Sequence, residues 1–149
     1  MYKGDRNKFG EAQLAEMEKR KSRSYIKTPD EVLDNLHVGD RLEGSILYNT
    51  YCASCHQQDG KGDNNRFPPL VDSEWVKGDE ARLINIVLNG YQGEIKVNGK
   101  SYNGMMPANS HLDDHAIASI LTYIKSRFGK SRKTVRELQV NQIRKSTAK

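Results

Sequence analysis

Five consecutive residues constrain this chain more than any others: Cys52-Ala53-Ser54-Cys55-His56, a C-x-x-C-H run. Two thiols at this spacing can each add across one vinyl group of a single porphyrin, and the adjacent imidazole is then carried beneath the iron. The run predicts one covalent c-type haem, with Cys52 and Cys55 as attachment points and His56 as a metal ligand.

Rival readings of C-x-x-C fail on count and context. With only two Cys in the chain there is no second pair to close a four-cysteine zinc site. His111 and His115 lie about sixty residues downstream, far outside the spacing of a zinc finger. A redox dithiol belongs beside a βαβ pattern, whereas the residues before Cys52 have helical periodicity and no series of strands follows.

An iron held by His56 has a further axial position. Tyr102-Asn103-Gly104-Met105-Met106-Pro107-Ala108 offers two thioethers in a turn marked by Gly104 and Pro107, suited to presenting one sulfur to a metal. Met is also common core filling. His37, His111 and His115 stand as nitrogen alternatives.

From about Gly39 to Gly129 the chain resembles a small mono-haem cytochrome c with His and Met ligands, while Asp59-Gly60-Lys61-Gly62 and Phe67-Pro68-Pro69-Leu70 with Trp75 are more loosely similar to haem domains attached to quinoprotein alcohol or sugar dehydrogenases. The resemblance rests on an aromatic helix, the C-x-x-C-H run, Pro68-Pro69-Leu70, a Met-Pro loop and a last helix with Tyr. It implies that the Met before Pro, Met106, is the second metal ligand, with Met105 as the competing choice. It implies that the Pro68 carbonyl accepts a hydrogen bond from the proximal imidazole and so fixes its tautomer and plane. It also matches Gly44 and Tyr48 in the first helix to Ile120 and Tyr123 in the last, where the two cross.

Periodicity supports an all-α architecture of three to four core helices around the haem. A first helix carries Leu42, Ile46, Leu47 and Tyr51 as its apolar stripe. A second runs through Leu83, Ile84, Ile86, Val87 and Leu88, opening at Asp79-Glu80 and closing at Asn89-Gly90. A third starts at Asp113-Asp114, presents Ile117, Ile120, Leu121 and Ile124, and stops at Gly129 with Lys125 and Arg127 in its last turn. Between the second and third, glycines break regular structure, except that Ile95–Tyr102 has the composition of a short hairpin around Asn98-Gly99. Leu70, Trp75, Ile84 and Tyr102 are expected to line the pocket, with the Trp75 indole N–H reaching a haem propionate. Some ninety residues make a marginal core, so the haem supplies missing apolar volume and the apo-protein is expected to fold poorly.

Charge is segregated. Residues 1–27 hold eight Lys or Arg against four Asp or Glu, residues 28–124 seven against fourteen, and residues 125–149 nine against one. The chain divides into an N-terminal extension or linker (1–38), a haem domain (39–129) and a basic C-terminal extension (130–149). Thr28-Pro29 caps a short helix over Glu31–Leu36. Thr134–Ile143 places Val135, Leu138 and Ile143 on one stripe with Val140 off it, either packing on the core or steering a partner. One Trp, no aromatic interleaving and no recognised motif argue against nucleic acid. No stretch approaches the ~20 apolar residues of a membrane span, which leaves peripheral contact with anionic headgroups open. Covalent haem attachment takes place after export, so the expected location is periplasmic or otherwise extracytoplasmic, with a leader outside this chain.

With both axial positions filled, the iron offers no open site, and the expectation is outer-sphere electron transfer with redox proteins rather than catalysis. Two settings fit: a carrier, or the electron-accepting haem domain of a larger dehydrogenase. A gas-binding sensor is the third, and requires Met106 not to bind.

Overall fold

The computed structural model describes residues 41–148. The 1–38 extension, the Glu31–Leu36 helix and His37 lie outside them. Along the described chain, α1 covers residues 41–51, α2 Ala53–His56, α3 Glu74–Lys77, α4 Glu80–Asn89, β1 Tyr91–Val97, β2 Lys100–Met106, α5 Asp114–Arg127 and α6 Glu137–Thr147.

α1 and α5 meet at Gly44. A Cβ there would lie 2.1 Å from the Ser119 carbonyl oxygen and 2.8 Å from Tyr123 Cβ, so only hydrogen fits. One turn on, Tyr48 is fully buried, with its ring centroid 5.5 Å from Tyr123 and 5.4 Å from Phe128. Such tilted aromatic pairs add to the burial of area alone. The inward face of α1 is therefore Gly44, Tyr48 and Cys52, four residues apart. The expected stripe is corrected: Leu42 is 66% exposed and Ile46 61%. Close backbone approach at Gly44 sets the rotation of the helix and carries both residues, two positions off that row, outward.

α4 and α5 begin where the acidic residues place them. Asp79 Oδ1 accepts from Ala81 N at 3.0 Å and Asp113 Oδ1 from Ala116 N at 2.7 Å. In α5, Ile117, Ile120, Leu121 and Ile124 are buried as their spacing predicts. Lys125, in its last turn, does more than complement the helix dipole. It is buried, and its ammonium pairs with Glu80, whose other oxygen accepts from Gln139 Nε2 at 3.1 Å. A buried charge is tolerable only when paired and hydrogen-bonded in this way.

The hairpin is longer than the sequence suggests. β1 pairs antiparallel with β2 from Tyr91↔Met106 to Val97↔Lys100, passing through a Gly93↔Gly104 pair. Asn98 (φ +51°) and Gly99 (φ +80°) form the two-residue turn, both in the left-handed region that this turn demands. Met105 and Met106 thus end a strand instead of sitting in a turn.

Beyond Gly129 the chain packs on the core. Val135 and Val140 are buried within the same apolar cluster as α4 and α5, with Ile143 against it. The expected stripe is corrected here too: the helix begins only at Glu137, Val140 and Ile143 face inward, and Leu138 is 66% exposed. Arg144, one of the basic residues of this segment, is an internal clamp. Its Nε donates to Asp114 at 2.7 Å and its terminal nitrogens to the Ser110 and Leu112 carbonyls at 2.8 and 2.6 Å.

His115 ties three helices together, with Nε2 2.8 Å from Glu43 of α1 and Nδ1 2.6 Å from Glu137 of α6. Hydrogen bonds to these carboxylates raise its pKa to about 9. A folded-state pKa above the unfolded value stabilises fully below about pH 6.5 and is lost as pH rises through about 9. The stability difference between the unaltered protein and His115→Gln, from denaturant titrations, is expected to be largest near pH ~6 and to vanish above about 9. At the crossing, Gly44→Val is expected to destabilise by about 1–3 kcal/mol or more through overpacking, which outweighs the ~1 kcal/mol at most that leaving glycine gains within a helix.

Candidate haem site

The C-x-x-C-H run is presented by the end of α1. Cys52 N donates to Tyr48 O at 2.8 Å, and His56 N to Cys52 O at 3.0 Å, closing α2. Tyr48 Oη donates to Gln57 O at 2.6 Å, which fixes the chain directly after His56. Burial, with the neighbouring Cys52, holds the Tyr48 phenol well above its ordinary pKa.

The following loop folds back to hold the imidazole. Asp63 Oδ1 accepts from three successive amides, Asn65, Arg66 and Phe67, at 2.9, 2.8 and 2.8 Å. Gly62 has φ +65°, and a Cβ there would strike Phe67 O at 2.1 Å. The tight loop so formed brings Pro68 O within 2.9 Å of His56 Nδ1. That carbonyl can only accept, so Nδ1 carries the proton and Nε2 keeps its lone pair for a metal. Burial lowers the His56 pKa, opposed by the Pro68 hydrogen bond, so the imidazole is neutral.

Cys52, Cys55, His56, Pro68, Leu70, Trp75, Tyr102 and Met106 all line one cleft of about 1160 Å³, its open mouth included. α4 contributes Leu83, Ile86 and Val87, and α5 Leu121 and Ile124. Ile84, expected in this lining, points away into the core; with Leu88 four residues on it faces the opposite side of α4. The hairpin forms the remaining wall. Alternation turns Tyr102, Gly104 and Met106 of β2 inward, with Tyr91, Gly93, Ile95 and Val97 of β1. The same alternation separates the two methionines: Met106 packs against the core, while Met105 is 67% exposed, although both border the cleft. His115 is engaged by carboxylates through both nitrogens, and His111 stacks edge-on to Tyr51 at 5.6 Å; neither lines the cleft. The Trp75 indole N–H, expected to reach a propionate, donates to Lys96 O at 2.8 Å.

These walls suit a broad flat apolar group. Gly93 and Gly104 face each other across the ladder on the cleft side, and a Cβ built on Gly93 meets nothing within 4 Å. The pair leaves a shallow cradle in the wall. The cysteines are unlike a redox dithiol. Burial first, then Cys55, raises the Cys52 pKa to about 11, the opposite of the depressed value an attacking thiol needs.

Residues 42–128 match the family model described as cytochrome c. The chain belongs to the cytochrome c family. It is 38% identical over 97 residues to cytochrome c-552 of Thermus thermophilus, covering 62% of this chain and 73% of that one. It is 33% identical over 110 residues to the fructose dehydrogenase cytochrome subunit of Gluconobacter japonicus, covering 68% of this chain and 22% of the subunit. It is 31% identical over 94 residues to a cbb3-type cytochrome c oxidase subunit of Azospirillum brasilense, covering 58% of this chain and 28% of that subunit. The chain thus spans about a quarter of the last two. As a family member it carries one covalent c-type haem and transfers electrons. No described helix is long and apolar enough to cross a membrane.

The glycine cradle was not anticipated, and the hairpin expected over Ile95–Tyr102 covers only part of the hairpin wall, which runs from Tyr91 to Met106. The period-two run Tyr91-x-Gly93-x-Ile95-x-Val97 was its available signal. Gly104→Leu, which fills the cradle, is expected to lower the haem absorbance per polypeptide several-fold, while Asn103→Leu on the exposed face of β2 leaves it unchanged.

Proposed function

We propose that the haem is bonded through Cys52 and Cys55, with His56 and Met106 as axial ligands, and that the protein is a one-electron carrier of the periplasm or another extracytoplasmic space. The observation that carries this reading is the convergence in one apolar cleft of a neutral imidazole, held by Pro68 O, and the inward-facing thioether of Met106. The bound haem supplies the Fe(II)/Fe(III) couple. The chain supplies the rest. Pro68 orients the His56 ring and raises its basicity as a donor. Met106 would hold the iron through its thioether and favour the reduced state, as would an apolar surround from Leu70, Tyr102, Val87 and Ile124. Trp75 closes one side of the cleft. The haem domain is assigned to residues 39–129, with 1–38 as a linker or extension and 130–149 as a C-terminal extension, of which Val135 and Val140 belong to the core.

Redox proteins on either side of the carrier are its partners. Similarity to a fructose dehydrogenase cytochrome subunit supports a second setting, the electron-accepting haem domain of a larger dehydrogenase.

Two measurements test the reading. Mass under denaturing conditions is expected to exceed the polypeptide by one haem, and acid-acetone to leave the colour with the protein; extraction of the haem defeats the thioether assignment. The oxidised protein is expected to show a weak far-red sulfur-to-iron absorption that Met106→Ala abolishes and Met105→Ala preserves. The reverse pattern moves the ligand to Met105, and indifference to both substitutions favours a nitrogen ligand or an open, gas-binding site.

A further inference from the structure

The hairpin is fastened at its two ends. At its base, Gly90 is so close to Met106 O that a Cβ would lie 2.5 Å from it, and Asn109 donates to Val87 O through both its backbone N and Nδ2, at 3.0 and 3.2 Å. At its tip, the fastening comes from α3. Both oxygens of Glu74 accept from Asn98 N, at 3.0 and 2.9 Å, and Trp75 Nε1 donates to Lys96 O at 2.8 Å. The Arg82 guanidinium stacks on the Trp75 ring, 3.9 Å from its centroid, and backs it from the solvent side. Lys100 adds a bond to Asn64 O. Between tip and base lies the cradle, where a Cβ on Gly93 would meet nothing within 4 Å and one on Gly104 would lie 3.2 Å from Arg66 O.

We propose that Glu74 and Trp75 are positioning residues that latch the hairpin over the cleft, so that access of water and small ligands to the Met106 side of the haem is set by the hydrogen bonds at the hairpin tip. This rests on the assignment of Met106 as an axial ligand. A two-stranded hairpin is marginally stable by itself. Its hold on the cleft therefore depends on the burial of Val97 and Tyr102 and on its fastenings, of which the tip bonds are few, exposed and partly charge-assisted. With the tip released, β1 and β2 swing from the base, and Ile95, Val97 and Tyr102 leave the cleft wall together. Glu74 does not line the cleft, and its carboxylate reaches the hairpin through Asn98 N. The carboxylate also fits the turn chemistry, because a type I′ turn leaves the Asn98 N–H pointing outward for an external acceptor.

The test uses the full haem-loaded chain, oxidised, with imidazole as the small ligand that enters when the iron's sixth position becomes accessible. Glu74→Ala is expected to raise the imidazole association rate by about tenfold or more, the factor that loss of a hydrogen bond to a charged group gives in an opening equilibrium. Trp75→Phe, which keeps a ring beneath Arg82 but lacks the N–H, and Glu74→Gln, which keeps one acceptor, are expected to give smaller increases of several-fold. Hydrogen exchange at the Ile95 to Tyr102 amides is expected to quicken in the same order, with α5 unchanged, and Glu94→Ala on the exposed face is expected to alter neither. Unchanged imidazole rates in all three variants overturn the proposal, whether or not the hairpin amides exchange faster. Absence of the far-red absorption from the unaltered protein defeats the Met106 assignment instead, and hairpin exchange then still decides whether the latch exists.

Discussion

The crossing of α1 and α5 at Gly44 is the constraint on which the rest of the molecule depends. With the Ser119 carbonyl where a side chain would begin, the helices cannot slide or rotate against each other without a clash. That contact orients Tyr48 into the aromatic group with Tyr123 and Phe128, and aims Cys52 and the run after it at the cleft. α5 is fixed by the same contact and supplies Leu121 and Ile124 to the facing wall. One missing side chain thus places both the attachment segment and the surface opposite it.

How much of this was legible in the sequence varied with the range of the interaction. The attachment run, α4, α5 and the acidic caps were readable because they depend on neighbours within a turn or two. The preference for Met106 over Met105 came from the family resemblance, and strand alternation turns Met106 toward the core and leaves Met105 exposed. The α1 stripe and the α6 stripe were misread for a common reason. In each helix several apolar residues compete for the inward face, and the outcome is decided by a tertiary contact, Gly44 on Ser119 or Val140 on the core, that periodicity does not contain. The hairpin was truncated because glycine in a strand reads as a break, whereas Gly93 and Gly104 serve as a pair.

The basic C-terminal segment shows how formal charge overstates what reaches solvent. Lys125 and Arg144 neutralise Glu80 and Asp114 internally, and Glu137 is taken up by His115. α6 lies against α4 and α5 and lines none of the cleft. Among the described cations of residues 125–149, Arg127, Arg132, Lys133, Arg136 and Lys145 form no ion pair, and none of them lines the cleft.

The Tyr48 to Gln57 hydrogen bond has a mechanical meaning. It joins the helix crossing to the peptide immediately after His56, while Pro68 O grips the ring of the same residue from the other side. The ring of His56 is thereby held at Nδ1 by Pro68 O, and the backbone that follows it by the buried Tyr48. Under the proposed ligation of the iron by His56, a ring held in this manner would have little room to relax when the charge on the metal changes by one unit. On that proposal the scaffold would keep the nuclear rearrangement that accompanies each electron small, and little driving force would be lost to motion.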